Sequence, residues 1–130
     1  MTRLLLVEDS ISAARTVRVF LARLGFDSDH VSSGDQAVDL ARKHDYAAIL
    51  MDLRLDGIDG LEAARRIRAR ERRIGLPRVP ILGLGGPDAA TQAAPCFAAG
   101  MDAYLAKPLS LDLLRETLER LLQAPLRLAA

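Results

Sequence analysis

Short apolar runs that stop abruptly on a charge limit the folds open to this chain. Residues 4–7 (Leu4, Leu5, Leu6, Val7) end at Glu8 and Asp9, and residues 47–51 (Ala47, Ala48, Ile49, Leu50, Met51) end at Asp52. Runs this short and uniform are what strands buried on both faces show. Between and after them, apolar residues recur at helical spacing: Ile11, Ala14, Val17, Leu21 and Leu24, then Ala37, Val38, Leu40 and Ala41, then Leu61, Ala64, Ile67 and Ile74. Strand alternating with helix predicts a parallel sheet with helices on both faces.

The remaining punctuation completes the pattern. Ser10 is placed to cap the first helix and Gly25 to stop it. Residues 27–31 form a weak, polar strand suited to a sheet edge, and Ser33 and Gly34 turn the chain into a second helix that runs to about His44. Asp59 caps the third helix, which leaves through Gly75, Leu76 and Pro77. A fourth strand over residues 79–84 meets Gly85, Gly86 and Pro87. Asp88 would cap a fourth helix through Ala99, closed by Gly100, yet Pro95 lies inside it, so that helix is predicted to be short, kinked or late in starting. Residues 103–106 make the fifth strand. Ser110 caps the last helix, whose stripe is Leu111, Leu114, Leu118, Leu121 and Leu122, and the tail is expected to be loose. The expectation is one domain, residues 1–124, with a C-terminal tail, residues 125–130. Its class is α/β, a doubly wound five-stranded parallel sheet with five helices. Right-handed crossovers then bring every strand's carboxyl end to one edge.

Composition removes several classes of function. At 130 residues the chain buries roughly two thirds of its unfolded surface, enough for a core without staples. The 18 basic and 17 acidic residues leave a net charge of +1, so no global field draws in nucleic acid or anionic membrane. A single cysteine, Cys96, excludes an internal disulfide and a Cys-rich metal site. The run at residues 4–7 is too short for a signal peptide or a membrane span, and a cytoplasmic domain is expected. No GK[ST] loop is present, which excludes a P-loop nucleotide site. Arg65, Arg66, Arg68, Arg70, Arg72, Arg73 and Arg78 form a basic stretch without interleaved aromatics, read as a solvated helix face rather than a nucleic-acid surface. His30 and His44 are assigned to an edge strand and a helix end, away from the acids.

Three strand ends deliver charge to one edge: Glu8 and Asp9, Asp52, and Lys107. Two carboxylates about 4 Å apart repel by on the order of 4 kcal/mol at an effective dielectric of 20, so such a cluster calls for a cation. Oxygen donors with no His or Cys among them suit Mg²⁺ better than zinc. Asp52 is then free to attack phosphorus and form an aspartyl phosphate, and Lys107 to hold a phosphoryl oxygen.

The segments LLLVED, ILMDLRLDGIDGLEAARRIR, VPILGLGG and AGMDAYLAKPL resemble the receiver domain of two-component response regulators, stand-alone or hybrid-kinase-type, from about Arg3 to Leu122. The resemblance implies a flavodoxin-like strand order 2-1-3-4-5. It implies that Asp52 is the phosphoacceptor in a phosphorelay, served by a histidine kinase or a histidine phosphotransfer protein. It further implies that Mg²⁺ is held by Asp9, Asp52 and the backbone carbonyl of Arg54, with Glu8 acting through water. Lys107 matches the family's phosphoryl-contacting lysine, Pro108 the proline that follows a cis peptide, and Tyr104 the aromatic switch.

The chain also departs from the family. Gly85 stands where a Thr or Ser hydroxyl usually contacts the phosphoryl group, Thr91 is too far along to replace it, and Asp56 stands where Pro is common. The output surface of the resemblance includes residues 89–99, which begin at Ala89, end at Ala99 and carry no charge. That strip is a candidate contact for an output partner or a second copy, or else is buried. Two other functions stand beside the phosphoacceptor reading: a docking scaffold that has given up phosphate, and a Mg²⁺-dependent phosphohydrolase with Asp52 as nucleophile. Haloacid dehalogenase-type hydrolases carry a second Asp where this chain has Arg54.

Overall fold

Alternate side chains of the first strand, β1 (Arg3–Val7), feed two separate cores. Leu4 and Leu6 join one with Leu50, Leu82 and Leu84, while Leu5 and Val7 join the other with Ile49, Met51 and Ile81. A strand buried on both faces can carry no polar alternation, and this explains the unbroken apolar runs. The computed structural model describes residues 2–86 and 89–128. In chain order the further elements are α1 (Ile11–Arg23), β2 (Asp27–Val31), α2 (Gly34–Lys43), β3 (Ile49–Asp52), α3 (Gly60–Ile74), β4 (Ile81–Gly85), α4 (Ala89–Ala98), β5 (Ala103–Ala106) and α5 (Leu111–Leu122). The strands lie in the order β2-β1-β3-β4-β5, every pair parallel. This is the flavodoxin-like arrangement. Helices α1 and α5 cover one face through Val17, Leu21, Leu114 and Leu118; α2, α3 and α4 cover the other through Ala37, Ala64, Ile67 and Cys96.

Local chemistry starts the helices where the sequence places them. Ser10, Ser33, Asp59 and Ser110 each accept a hydrogen bond from the backbone N–H three residues on, a cap worth about 1 kcal/mol. Helix α4 runs ten residues with Pro95 inside it, longer than the proline suggested. The Ala99 N–H donates to the Pro95 carbonyl, so the ladder continues beyond the ring. The expected cap, Asp88, lies outside the described residues.

Two stripe positions read as core are not core. Ile11 is 67% exposed and Ile74 also faces solvent, because each sits in a terminal turn beyond the sheet it was expected to cover. The tail is tied down in part: Leu126 packs on the α1/α5 core, and its N–H donates to Glu119 at 2.8 Å. The largest correction concerns the basic stretch. Arg68 is only 2% exposed. Its guanidinium donates to the Gly100 carbonyl (2.8 Å), to Glu71 (2.8 Å) and to Asp102 (2.7 Å). Glu71 also accepts from the Val79 N–H, and Asp102 from the Ile81 N–H and from Arg78. Helix α3, the entry to β4 and the turn before β5 are thus clasped by one cation.

Removing the centre of this clasp would leave two carboxylates without their principal cation. Arg68→Ala should therefore lower the unfolding free energy in urea by about 3 kcal/mol. Exposed Arg72→Ala should change it by less than about 0.5 kcal/mol. Equal effects would refute the assignment.

Candidate functional site

The carboxyl ends of β1, β3 and β5 meet at one edge because parallel pairing aligns them in register: Val7 lies opposite Met51, and Asp52 opposite Leu84. The chain continues from β1 into Glu8, which is 1% exposed, while Asp52 closes β3 at 5%. Asp9, one residue on, is exposed. Carboxylate oxygens of Glu8, Asp9 and Asp52 lie within 4.8 Å of one another. Lys107, following β5, closes the cluster: its Nζ donates to Glu8 Oε1 at 2.6 Å and to Asp52 Oδ2 at 2.8 Å.

Backbone groups fix the remaining oxygens. Glu8 Oε2 accepts from the Ser10 N–H at 3.2 Å, and Asp52 Oδ1 from the Arg54 N–H at 3.2 Å. The Lys107 N–H is anchored on the Gly85 carbonyl at 2.7 Å, and the Lys107–Pro108 peptide is cis. Burial, and then the neighbouring Asp52, push the Glu8 carboxyl above its ordinary range. Burial alone would lower the Lys107 ammonium, but its bonds to Asp52 and Glu8 outweigh that and raise it. An acid that resists ionisation beside a lysine that resists deprotonation marks a site short of positive charge.

The donor set fits a hard divalent cation. Glu8, Asp9 and Asp52 are all carboxylates, one of them is open to solvent, and among the described residues no His or Cys belongs to the cluster. The loop after β3 turns back tightly on the end of the strand. Its Gly60 N–H donates to the Leu53 carbonyl at 3.1 Å, and a Cβ at Gly60 would come within 3.0 Å of Leu53 Cα. Only glycine lets α3 begin directly against the end of β3. Asp56 is exposed and bridges to Ser33, in keeping with a turn residue.

Sequence reasoning missed two participants. His30 was placed away from the acids, but its Nε2 lies 2.7 Å from the Glu8 carbonyl. A carbonyl only accepts, so the proton sits on Nε2. The signal was the parallel register, which pairs His30 with Leu6 one strand over. The second is Gln92 of α4. The one hydroxyl proton of Tyr104 is shared between the Gly86 carbonyl, 2.8 Å away, and the Gln92 side-chain oxygen. A Cβ on Gly85 would sit 2.6 Å from that hydroxyl, 2.9 Å from Tyr104 Cε1 and 2.5 Å from the Gln92 oxygen. The tyrosine therefore fills the space a side chain at position 85 would need.

Known proteins show the same architecture. The chain is 33% identical to the cell cycle transcriptional regulator CtrA of Caulobacter vibrioides over 110 residues, 85% of this chain and 46% of that one. It therefore spans about half the length of that relative. Among solved structures, the receiver domain of the sensor histidine kinase PA1611 of Pseudomonas aeruginosa PAO1 is 38% identical with a TM-score of 0.84. The match covers 95% of this chain and 98% of that one, and that structure has a magnesium ion coordinated in its active site cleft. The Saccharomyces cerevisiae receiver domain of Ssk1, solved with the histidine phosphotransfer protein Ypd1, is 26% identical with a TM-score of 0.86, over 91% of this chain and 86% of that one. Among the described residues no helix is long and apolar enough to cross a membrane. Residues 4–119 match the response regulator receiver domain, and the chain belongs to that family of two-component signalling modules.

Proposed function

We propose that this chain is a Mg²⁺-dependent phosphoacceptor that takes a phosphoryl group on Asp52 from a histidine kinase or a histidine phosphotransfer protein in the cytoplasm. The observation that carries the reading is the ammonium of Lys107 bound at once to Asp52 and Glu8, with Asp9 close by at a solvent-open edge. Asp9, Asp52 and the Arg54 carbonyl would hold the ion directly and Glu8 through water. When bound, the ion offsets the charge of the acids and of the arriving phosphoryl oxygens.

In the transfer, an Asp52 oxygen attacks phosphorus, the P–N bond to the donor's imidazole breaks, and its electron pair returns to the ring nitrogen. Lys107 keeps its hold on the site and can pass one of its donors to a phosphoryl oxygen. The complex formed by the yeast relative with its phosphotransfer protein supports a partner of that kind. Output through α4 is part of the same proposal: Cys96 within it and Ala99 just after it are buried, but Phe97 stands 54% exposed on an uncharged helix.

The step after transfer is where this chain departs from its family. No hydroxyl exists at position 85 to draw toward the phosphoryl group, and Tyr104 already lies inward, held by Gln92 and the Gly86 carbonyl. We take Tyr104 to be held in that position whether or not Asp52 carries phosphate. This also favours the second reading, a docking scaffold whose conformation does not wait for phosphate. Nothing in the site favours a phosphohydrolase.

Acetyl phosphate with Mg²⁺ should add the mass of one phosphoryl group to the wild-type chain and none to Asp52→Asn. A wild type that stays unlabelled, by mass and by beryllofluoride titration, would leave the scaffold reading standing alone. Gly85→Thr should expel Tyr104 from its present position even without phosphate, seen as a shift of its ring resonances with Tyr46 as the internal reference. It should also make those resonances respond to beryllofluoride more than in wild type. An undisturbed Tyr104 ring in that variant would refute the packing argument.

A further inference from the structure

At the end of the sheet opposite the acids, where β3 and β4 begin, α2 and α3 part around a cleft of about 440 Å³. Its apolar wall is built by Ile49, Ile67, Leu76 and Pro80, and its rim by Arg42, Arg66, Arg70 and Arg78. That is the size and lining of a site for a small organic ligand, mostly apolar with a few convergent polar groups.

The charge of this cleft is not that of the chain as a whole, which is +1. Two acids, Asp45 and Glu71, also line it. Glu71 is already committed to Arg68 and the Val79 N–H, and Asp45 is exposed at the margin. Arg42 pairs with Asp39, Arg66 with Glu62 and Asp35, and Arg78 with Asp102. A guanidinium has five N–H donors, and these pairs leave some of them unspent. Arg70 is different: it is half-buried and forms no hydrogen bond or ion pair with any described residue. The stem packs while the guanidinium nitrogens stay in reach of water, so a charge unpaired among the described residues stands at the mouth of the cleft, ready for an anion. The carboxyl ends of α2 and α3, at His44 and Gly75, lie at the same end of the fold. Helix dipoles therefore do not supply the positive field, and the arginine side chains do.

We propose that this cleft binds a phosphate monoester with a flat apolar body, its phosphate on the Arg70 guanidinium and its body against Ile49, Ile67 and Leu76. Planar guanidinium groups pair with phosphate through two parallel donors and also stack on flat rings, which a lysine-lined cleft would not do. The chemistry is shared by nucleoside monophosphates and simple aryl phosphates. The site is independent of Asp52, so failure of one assignment does not touch the other.

The test is an amide chemical-shift titration of the ¹⁵N-labelled chain, without Mg²⁺, using adenosine 5′-monophosphate, phenyl phosphate and inorganic phosphate as separate probes. Saturable shifts are expected over residues 42–47 and 70–79 with the two esters, and weaker binding with inorganic phosphate. Tighter binding of the nucleotide would identify a nucleotide-type ligand, and tighter binding of phenyl phosphate an aryl phosphate. Arg70→Gln should weaken ester binding at least about tenfold, the loss expected for one charge-assisted pair. Acetyl phosphate labelling of that variant at the wild-type rate would show it is folded. The proposal is overturned if neither ester shifts these amides, if inorganic phosphate does so equally well, if the shifts centre on Asp9 and Asp52, or if Arg70→Gln binds like wild type.

Discussion

One ammonium group holds the chemical end of this molecule together. Glu8 and Asp52 are almost completely removed from solvent, and without compensation two such charges about 4 Å apart would repel by on the order of 4 kcal/mol. Lys107 bonds both, and the lysine itself is set by the bond from its own N–H to the Gly85 carbonyl. Three strands far apart in sequence are thereby fixed relative to one another at the point where they end. The same bonds leave the acids in need of further positive charge, because one cation bonds two carboxylates and a third, that of Asp9, lies beside them. Stability of the edge and the proposed affinity for a divalent ion are two aspects of one imbalance.

Much of this was legible in the sequence because it is local. A run of apolar residues that ends on an acid, or a serine just before a helical stripe, carries its own instruction. The caps at Ser10, Asp59 and Ser110 and the five strands appear where those signals put them, and Ser33, read only as a turn residue, proves to be a cap as well. Helical stripes were less reliable at their ends: Ile11 and Ile74 keep the period but lie past the sheet that would bury them.

What the sequence concealed depends on contacts made across the fold. Arg68 has the same neighbours in sequence as the exposed arginines around it, and only the turn at Gly100 and the carboxylate of Asp102, more than thirty residues away, distinguish it. His30 reaches Glu8 through strand register, and Tyr104 occupies the space left by Gly85 through the pairing of β4 with β5. Each arises from the third dimension, where a residue's type says little about its partner. The absent side chain at Gly85 could be read as a lost hydroxyl. That it also makes room for a ring could not.

The arginine clasp has a mechanical consequence for α4. The turn that follows this helix is pinned at Gly100 by two guanidinium groups, those of Arg68 and Arg78, and Gln92 ties the helix to Tyr104 of β5. Any displacement of α4 that follows a change at the acidic edge must therefore leave Gly100 where it is or break two charge-assisted bonds at once.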